Sequence, residues 1–367
     1  MKKNMEKKFK CTKCGEIITI SGKPDETITL SCPSCHTNGK FTFEKTNSYL
    51  SNESIVEINN VSKKYKDILA LNNISFDIKK GEIFGYIGPN GAGKTTTIKI
   101  IVGLLNKTSG QAFINGYEMP EQKEQAHKFI GYLPQQVAFQ QWRTLNHTLT
   151  TFAKLSGMQK NVIQPRIDEL LEIMEISKFK NKKINQLSGG TIQKVGIIQA
   201  ILHNPGLLIL DEPLDGLDPE SRYKVKQIFK DLSKDGTTVF FSSHILSDVQ
   251  DVATKICIID WGHILKIGTL DELKSEFIKE KQIEIILSKK SDKFKEISKI
   301  IGVENIFEKS DEKFLININK NASYDEIIHN IIQSLLKNEC RIRSITPVTP
   351  TLDEVYQFYL RKGGNKK

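Results

Sequence analysis

Three groups of residues in this chain have the types and spacing to do chemistry. The segment Gly88-Pro89-Asn90-Gly91-Ala92-Gly93-Lys94-Thr95-Thr96 fits G-x-x-x-x-G-K-[ST]. Its glycines let backbone N–H groups turn inward around phosphate oxygens, and a following helix adds the partial positive charge of its N-terminus. Lys94 can then reach β- and γ-phosphates, while the Thr95 hydroxyl can bind Mg²⁺. The second group closes an apolar run, Leu207-Leu208-Ile209-Leu210-Asp211-Glu212. There Asp211 is placed to hold the hydration shell of Mg²⁺, and Glu212 can polarise an attacking water as a general base. The third is a pair of turns, Cys11-Thr-Lys-Cys14 and Cys32-Pro-Ser-Cys35, holding four of the six cysteines. Their spacing suits a closed Zn²⁺ site with four thiolate ligands and a structural role.

Each group needs elements to position it. For the phosphate loop these are a buried strand, Ile83 to Ile87, and a helix from Thr95 to Leu105. Leu207 to Leu210 reads as a buried parallel strand that delivers its acids from the C-terminal end. A further β-rich run, Thr237 to Phe241, leads into Ser242-Ser243-His244. Ile163, Ile167, Leu170, Leu171 and Met174 fall at helical spacing, with Pro165 expected near the helix start. Around the cysteine pairs, Ile17 to Ile20, Thr27 to Leu30 and Phe41 to Phe43 are β-prone, and Gly15 and Pro33 suit tight turns. The segment resembles a zinc ribbon; His36 is a bystander, and a redox or disulfide framework is the alternative. Thr46 to Ser54, rich in Ser and Asn, reads as a linker.

The last hundred residues carry no catalytic cluster. A charged helical segment, Leu270 to Lys281, precedes strand-like Ile283 to Leu287, helical Phe294 to Ile301 and strand-like Val303 to Phe307. Alternating Phe314, Ile316 and Ile318, helical Tyr324 to Leu336 and strand-like Arg341 to Ile345 follow. This β-α-β-β-α-β order suggests a small ferredoxin-like domain. Cys257 and Cys340 read as buried apolar residues.

Bulk properties set the limits. A chain of 367 residues can hold two or three domains with cores of their own. Mean hydropathy is −0.33, and no run approaches a membrane span. Met1 to Lys10 lacks a following apolar region, so no secretory signal is expected. The net charge of +10 would suit nucleic acid or an anionic membrane surface. Interspersed signs favour a solvated Lys-rich surface instead.

Between the phosphate loop and the acidic strand end stands Leu187-Ser188-Gly189-Gly190-Thr191-Ile192-Gln193-Lys194. With this LSGG segment the chain resembles the ATP-binding cassette (ABC) family over about Ile55 to Thr269. The resemblance implies that Ser188, Gly189 and Gly190 close on ATP held by a second subunit. It implies further that Tyr65 stacks on adenine, and that Gln135 in Gly131-Tyr-Leu-Pro-Gln135 touches Mg²⁺ and water. Gly216-Leu217-Asp218 looks like the loop that links the two sites across a dimer. Leu214 and Asp215 depart from the small hydroxyl residues usual in the family. His244 looks like the switch histidine that contacts the γ-phosphate beside Glu212. The helical stretch Gln136 to Gln186 fits the inserted subdomain that receives coupling helices of membrane partners. Pro350-Thr351-Leu352-Asp353-Glu354-Val355-Tyr356 resembles the tail of ATPase subunits of exporter-type (ABC-2) transporters.

The expectation is therefore an α/β P-loop NTPase core of the ABC type with an inserted helical subdomain. A zinc ribbon precedes it and an α+β ferredoxin-like domain follows. The expected divisions are 1–45 ribbon, 46–54 linker, 55–269 cassette and 270–367 accessory domain. ATP, Mg²⁺ and structural Zn²⁺ are the expected cofactors. The expected partners are a second ATPase subunit, as a homodimer, and a polytopic membrane permease, with the chain peripheral on the inner face of the cell membrane. The alternative is a soluble ABC ATPase acting on nucleic acid or ribosomes, which the ribbon and basic charge favour. Against it, soluble members commonly carry two cassettes or long coiled coils.

Overall fold

The computed structural model describes residues 5–10, 14, 17–22, 27–42, 53–277, 281–289, 292–319, 323–348 and 351–364. Cys11, Gly15, Phe43, Pro350 and the linker residues 46–52 lie outside them. The chain divides into two compact units, Met1–Asn52 and Glu53–Lys367.

The first unit is two antiparallel hairpins, Met5–Lys10 with Ile17–Gly22 and Thr27–Ser31 with Asn38–Thr42. The turn of the second hairpin contains Cys32 and Cys35. Cys32 N–H donates to Thr37 O at 3.0 Å and His36 N–H to Cys32 O at 2.9 Å. His36 takes φ 56°, the left-handed conformation that lets the chain reverse.

A six-stranded sheet organises the second unit. In spatial order its strands are Ile130–Leu133, Leu207–Leu210, Thr238–Ser243, Ile83–Ile87, Lys255–Asp260 and His263–Gly268. The first five are parallel and the last is antiparallel. Continuous apolar runs such as Ile83–Ile87 and Leu207–Leu210 are buried at every position. That is what a parallel strand covered on both faces requires. A second, four-stranded antiparallel sheet contains Ser54–Tyr65 and Ile68–Lys79. Ser54 is thus already strand, one residue inside the expected linker. Phe76 of this sheet stacks on Phe84 at 5.5 Å, and Phe84 on Phe240 at 5.8 Å. The stack seats the antiparallel sheet against the strand that feeds the phosphate loop.

Helix boundaries depart from the expectations for local reasons. The helix after the phosphate loop runs Lys94–Ile101 and stops short of Leu105. Gly103 turns left-handed at φ 71°, and Leu104 and Leu105 N–H fold back to Lys99 O. Pro165 sits within the Lys160–Ile173 helix rather than near its start. Four of the five expected stripe residues lie in it and the fifth, Met174, is its C-cap; all five are buried. The Leu270 helix is described over Leu270–Phe277, residues 278–280 lie outside the described residues, and Lys281 opens a strand. Strand Thr238–Ser243 extends past Phe241 to include both serines.

The C-terminal sheet has spatial order Val303–Ser310, Lys313–Ile318, Lys281–Leu287, Ile342–Val348, antiparallel throughout. Its own core includes Ile283, Ile285, Phe294, Ile316, Ile331 and Cys340. The first crossover is a 3₁₀ helix, Asp292–Lys299, where an α-helix to Ile301 was expected. The second crossover is the α-helix Tyr324–Lys337. The final helix, Leu352–Gly364, buries Leu352, Val355 and Tyr359 in the cassette core with Leu273 and Val252. Cys257 is fully buried, as expected.

Candidate active site

The parallel strands deliver their chemistry from one edge of the sheet. Ile83–Ile87 opens into the loop Gly88–Gly93, Leu207–Leu210 into Asp211 and Glu212, and Thr238–Ser243 into His244. This is where an open α/β sheet places ligands. Gly93 is the N-cap of the Lys94 helix at φ 106°. A Cβ there would lie 2.7 Å from Leu71 Cδ2 and 2.9 Å from Ala70 O. Gly91, at φ 83°, has nothing within 4 Å of a Cβ position, so its backbone faces open space. Asn90 is exposed and Pro89 half-buried, and Ala92 is buried with its carbonyl accepting from Gly262 N–H. Thr95 and Thr96 sit in the first helical turn.

Lys94 and Glu212 are both buried, and Lys94 Nζ lies 3.2 Å from Glu212 Oε1. Lys94 also donates to Gly88 O at 2.8 Å and Pro89 O at 3.2 Å. The other carboxylate oxygen of Glu212 accepts from His244 N–H at 3.2 Å and meets His244 Nδ1 at 3.0 Å. The Glu212 backbone is left-handed at φ 51°, a strained position for a residue with a side chain. Two residues outside the sequence expectations hold it there. Ser242 Oγ accepts the Glu212 N–H at 2.9 Å, and Gln193 Nε2 donates to Pro213 O at 3.0 Å and Glu212 O at 3.4 Å. The signal for Ser242 was strand adjacency: Leu210 pairs with Phe241, which sets Asp211 beside Ser242.

Asp211 is buried, and burial pushes its carboxyl above the usual range against hydrogen bonds from Ser242 and Thr95. The Thr95–Asp211 contact brings a hydroxyl and a carboxylate together beside the loop. These are hard oxygen donors of the kind Mg²⁺ takes one or two at a time while keeping waters. Glu212, Asp215 and His244 hold side-chain atoms within 4.8 Å of one another. Asp215 is raised by burial first and by the Glu212 charge second.

Other expected site residues stand around this cluster. Tyr65 ends its strand half-exposed, with Lys63 Nζ 5.0 Å from its ring centre. Gln135 is exposed, two residues beyond the Ile130–Leu133 strand. Ser188 caps the Gly189–Ile201 helix by accepting Thr191 N–H at 3.3 Å. Asp218 caps the Pro219–Lys234 helix, and the hydroxyl and amide of Ser221 hold its carboxyl below the usual range. A Cβ on Gly190 would lie 3.0 Å from Gly216 O, so the LSGG segment and the Asp218 loop run against each other. Among the described residues no hydrogen bond or ion pair joins Ser188, Gly189 or Gly190 to Lys94, Thr95 or Glu212.

Two further features lie apart. A groove of about 590 Å³ is lined by Val137, Phe139, Phe152, Leu155, His127 and His203. In the N-terminal unit, the Sγ atoms of Cys14, Cys32 and Cys35 lie within 4.8 Å of one another, with Cys14 to Cys32 at 3.5 Å. Tetrahedral thiolates about 2.3 Å from a zinc ion stand roughly 3.8 Å apart, so the three sulfurs fit that ion. Hydrogen bonding with the Thr37 hydroxyl and amide brings the Cys35 thiol down to about 6. The fourth expected ligand, Cys11, is outside the described residues.

Residues 71–215 match the family model described as ABC transporter. Residues 268–358 match the ATP-binding protein DrrA1-3-like, C-terminal domain. The chain is 30% identical over 302 residues to the linearmycin resistance ATP-binding protein LnrL of Bacillus subtilis, covering 82% of this chain and 97% of that protein. It is 40% identical over 222 residues to the ABC transporter ATP-binding protein YxlF of the same organism, covering 60% and 73%. Among solved structures it resembles an ATP-binding cassette, MJ0796, in a dimeric post-hydrolysis state bound to ADP and Pi. That likeness has a TM-score of 0.55 at 30% identity and covers 59% of this chain and 98% of the other.

Proposed function

The chain belongs to the ATP-binding proteins of ABC transporters, and on that premise we propose how its own residues divide the work of an exporter's ATPase. The observation that carries the proposal is the convergence of Lys94, Asp211, Glu212 and His244 at one end of the parallel strands. The backbone from Gly88 to Gly93 cradles the phosphates, with Lys94 reaching the terminal ones and Thr96 in the same first turn. Tyr65 supplies the aromatic face for adenine. Thr95, Asp211 and Gln135 would hold Mg²⁺, which when bound would supply positive charge to the phosphates. Glu212 takes a proton from the attacking water, and His244 orients that carboxylate.

Ser188 and Gly189 are exposed and Gly190 half-buried at a helix N-terminus, and none of the three bonds to its own phosphate loop. They serve the ATP of a second copy, and Asp218 lies at the same junction. Closure of two copies on ATP then drives a separate membrane subunit seated in the groove beside Phe139 and Phe152. Hydrolysis resets the pair. No helix among the described residues is long and apolar enough to cross a membrane. LnrL is named for resistance to linearmycin, and another relative for Nod factor export. Both names support the outward direction for this chain. We assign 55–269 to the cassette, 270–367 to the accessory domain and 1–45 to a ribbon held by Zn²⁺ on Cys11, Cys14, Cys32 and Cys35. Gentle solubilisation of native membranes tests the assembly. A co-purifying polytopic membrane protein is expected; ribosomes or nucleic acid in its place would overturn it.

A further inference from the structure

Both carboxylate oxygens of Glu212 are engaged. Oε1 is 3.2 Å from Lys94 Nζ, and Oε2 takes both the backbone and the ring of His244. Lys94 is equally committed. An ammonium has three donors, and here three acceptors surround it: Gly88 O, Pro89 O and Glu212 Oε1. Exposure is 6% for Lys94 and 4% for Glu212, so solvent screens the pair little. The cation that reaches for phosphate and the carboxylate that activates water are therefore each other's partner. The surrounding bonds fix this arrangement: Ser242 and Gln193 pin the Glu212 backbone, and the lysine folds back on the carbonyls of its own loop.

We propose that the Lys94–Glu212 ion pair is a resting lock that an incoming nucleotide phosphate must break, and whose breaking releases Glu212 for catalysis. The inference rests on reading Gly88–Thr96 as the nucleotide site. A di- or triphosphate offers Lys94 a multiply charged acceptor that outcompetes one carboxylate. Until it does, Oε1 is turned to the lysine and unavailable to water. The lock lowers apparent nucleotide affinity by the fraction of molecules in which Lys94 is free. It also ties the general base to occupancy of the cradle.

The test is calorimetric titration of the full chain with Mg²⁺-free ADP, which involves neither hydrolysis nor ATP-driven closure. Glu212→Gln is expected to bind ADP about tenfold more tightly than the unsubstituted chain, a coupling within the range of contacting residues. Glu212→Asp keeps the charge one methylene short of the lysine and is expected to tighten binding too. In a Lys94→Ala background, Glu212→Gln is expected to change affinity by less than about twofold. Unchanged affinity in both Glu212 variants would overturn the lock. So would an equal gain in the Lys94→Ala background, which is plain repulsion between carboxylate and phosphate. ADP binding without the gain removes the lock alone. No ADP binding by the unsubstituted chain removes the nucleotide site with it.

Discussion

Ser242 Oγ donates to Asp211 Oδ1 at 2.7 Å from the neighbouring strand, and the same oxygen accepts the Glu212 N–H at 2.9 Å. One hydroxyl thus sets both acids at the strand end, one through its side chain and the other through its backbone. Ser242→Ala leaves a buried amide donor without its acceptor and loosens a left-handed Glu212. The expected loss is about 1–3 kcal/mol of stability. Turnover should drop by roughly tenfold, because a general base displaced by a fraction of an ångström works poorly. Urea unfolding and steady-state ATPase assays measure the two effects. Wild-type values in both would show that the bond is incidental.

Glu212→Gln removes the carboxylate that the proposed mechanism needs but keeps its shape. Hydrolysis should fall by roughly 10²–10⁴, the usual worth of a positioned acid–base group. ATP binding is expected to persist. With the reset step blocked, the ATP-bound form should accumulate as a dimer in size-exclusion chromatography with light scattering. Undiminished turnover would contradict the role given to Glu212.

His203 gives a pH dependence with a definite sign. Its Nε2 pairs with Ile130 O at 3.1 Å, while Nδ1 is buried and has no hydrogen-bond partner. Burial lowers its pKa below 6.5, because protonation would bury a cation and an N–H without an acceptor. The native state therefore binds fewer protons than the unfolded state as pH falls through about 6.5. Stability is full above that value and declines on acidification toward the lowered folded pKa. His203→Gln, which keeps an N–H donor for Ile130 O, should flatten that part of the curve. Melting temperatures from pH 7.5 to 5.5 measure it; parallel curves for the two proteins would remove His203 as the cause.

The chemistry was legible where it is local. Gly88 to Thr96 is contiguous, and its strand and helix flank it directly. Asp211 and Glu212 end an apolar run whose burial follows from composition. Contacts between neighbouring strands and helices left weaker traces. Ser242 could be paired with Asp211 only after the parallel order of three strands was known. Gln193 reaches the Glu212 loop because its helix crosses behind that strand end, and a single polar side chain in an apolar helix does not say where it points. Boundaries failed through closure geometry, as where Gly103 ends the Lys94 helix. The Asp292–Lys299 crossover carries apolar spacing that α- and 3₁₀-helices share over one or two turns.

The cysteine cluster yields the last prediction. Cys32 is buried, and Cys14 and Cys35 converge on it, in a unit too small to bury a large apolar core. Such a unit gains stability from an ion with closed tetrahedral thiolate coordination. Freshly purified protein should carry about one zinc per chain, and Cys32→Ser should carry almost none. Chelation should make Met1–Asn52 sensitive to protease while ADP binding at Lys94 persists, since the two units fold around separate contacts. Metal analysis by mass spectrometry and limited proteolysis provide the measurements. Metal-free protein with a protease-resistant N-terminal unit would exclude zinc as the element that holds it.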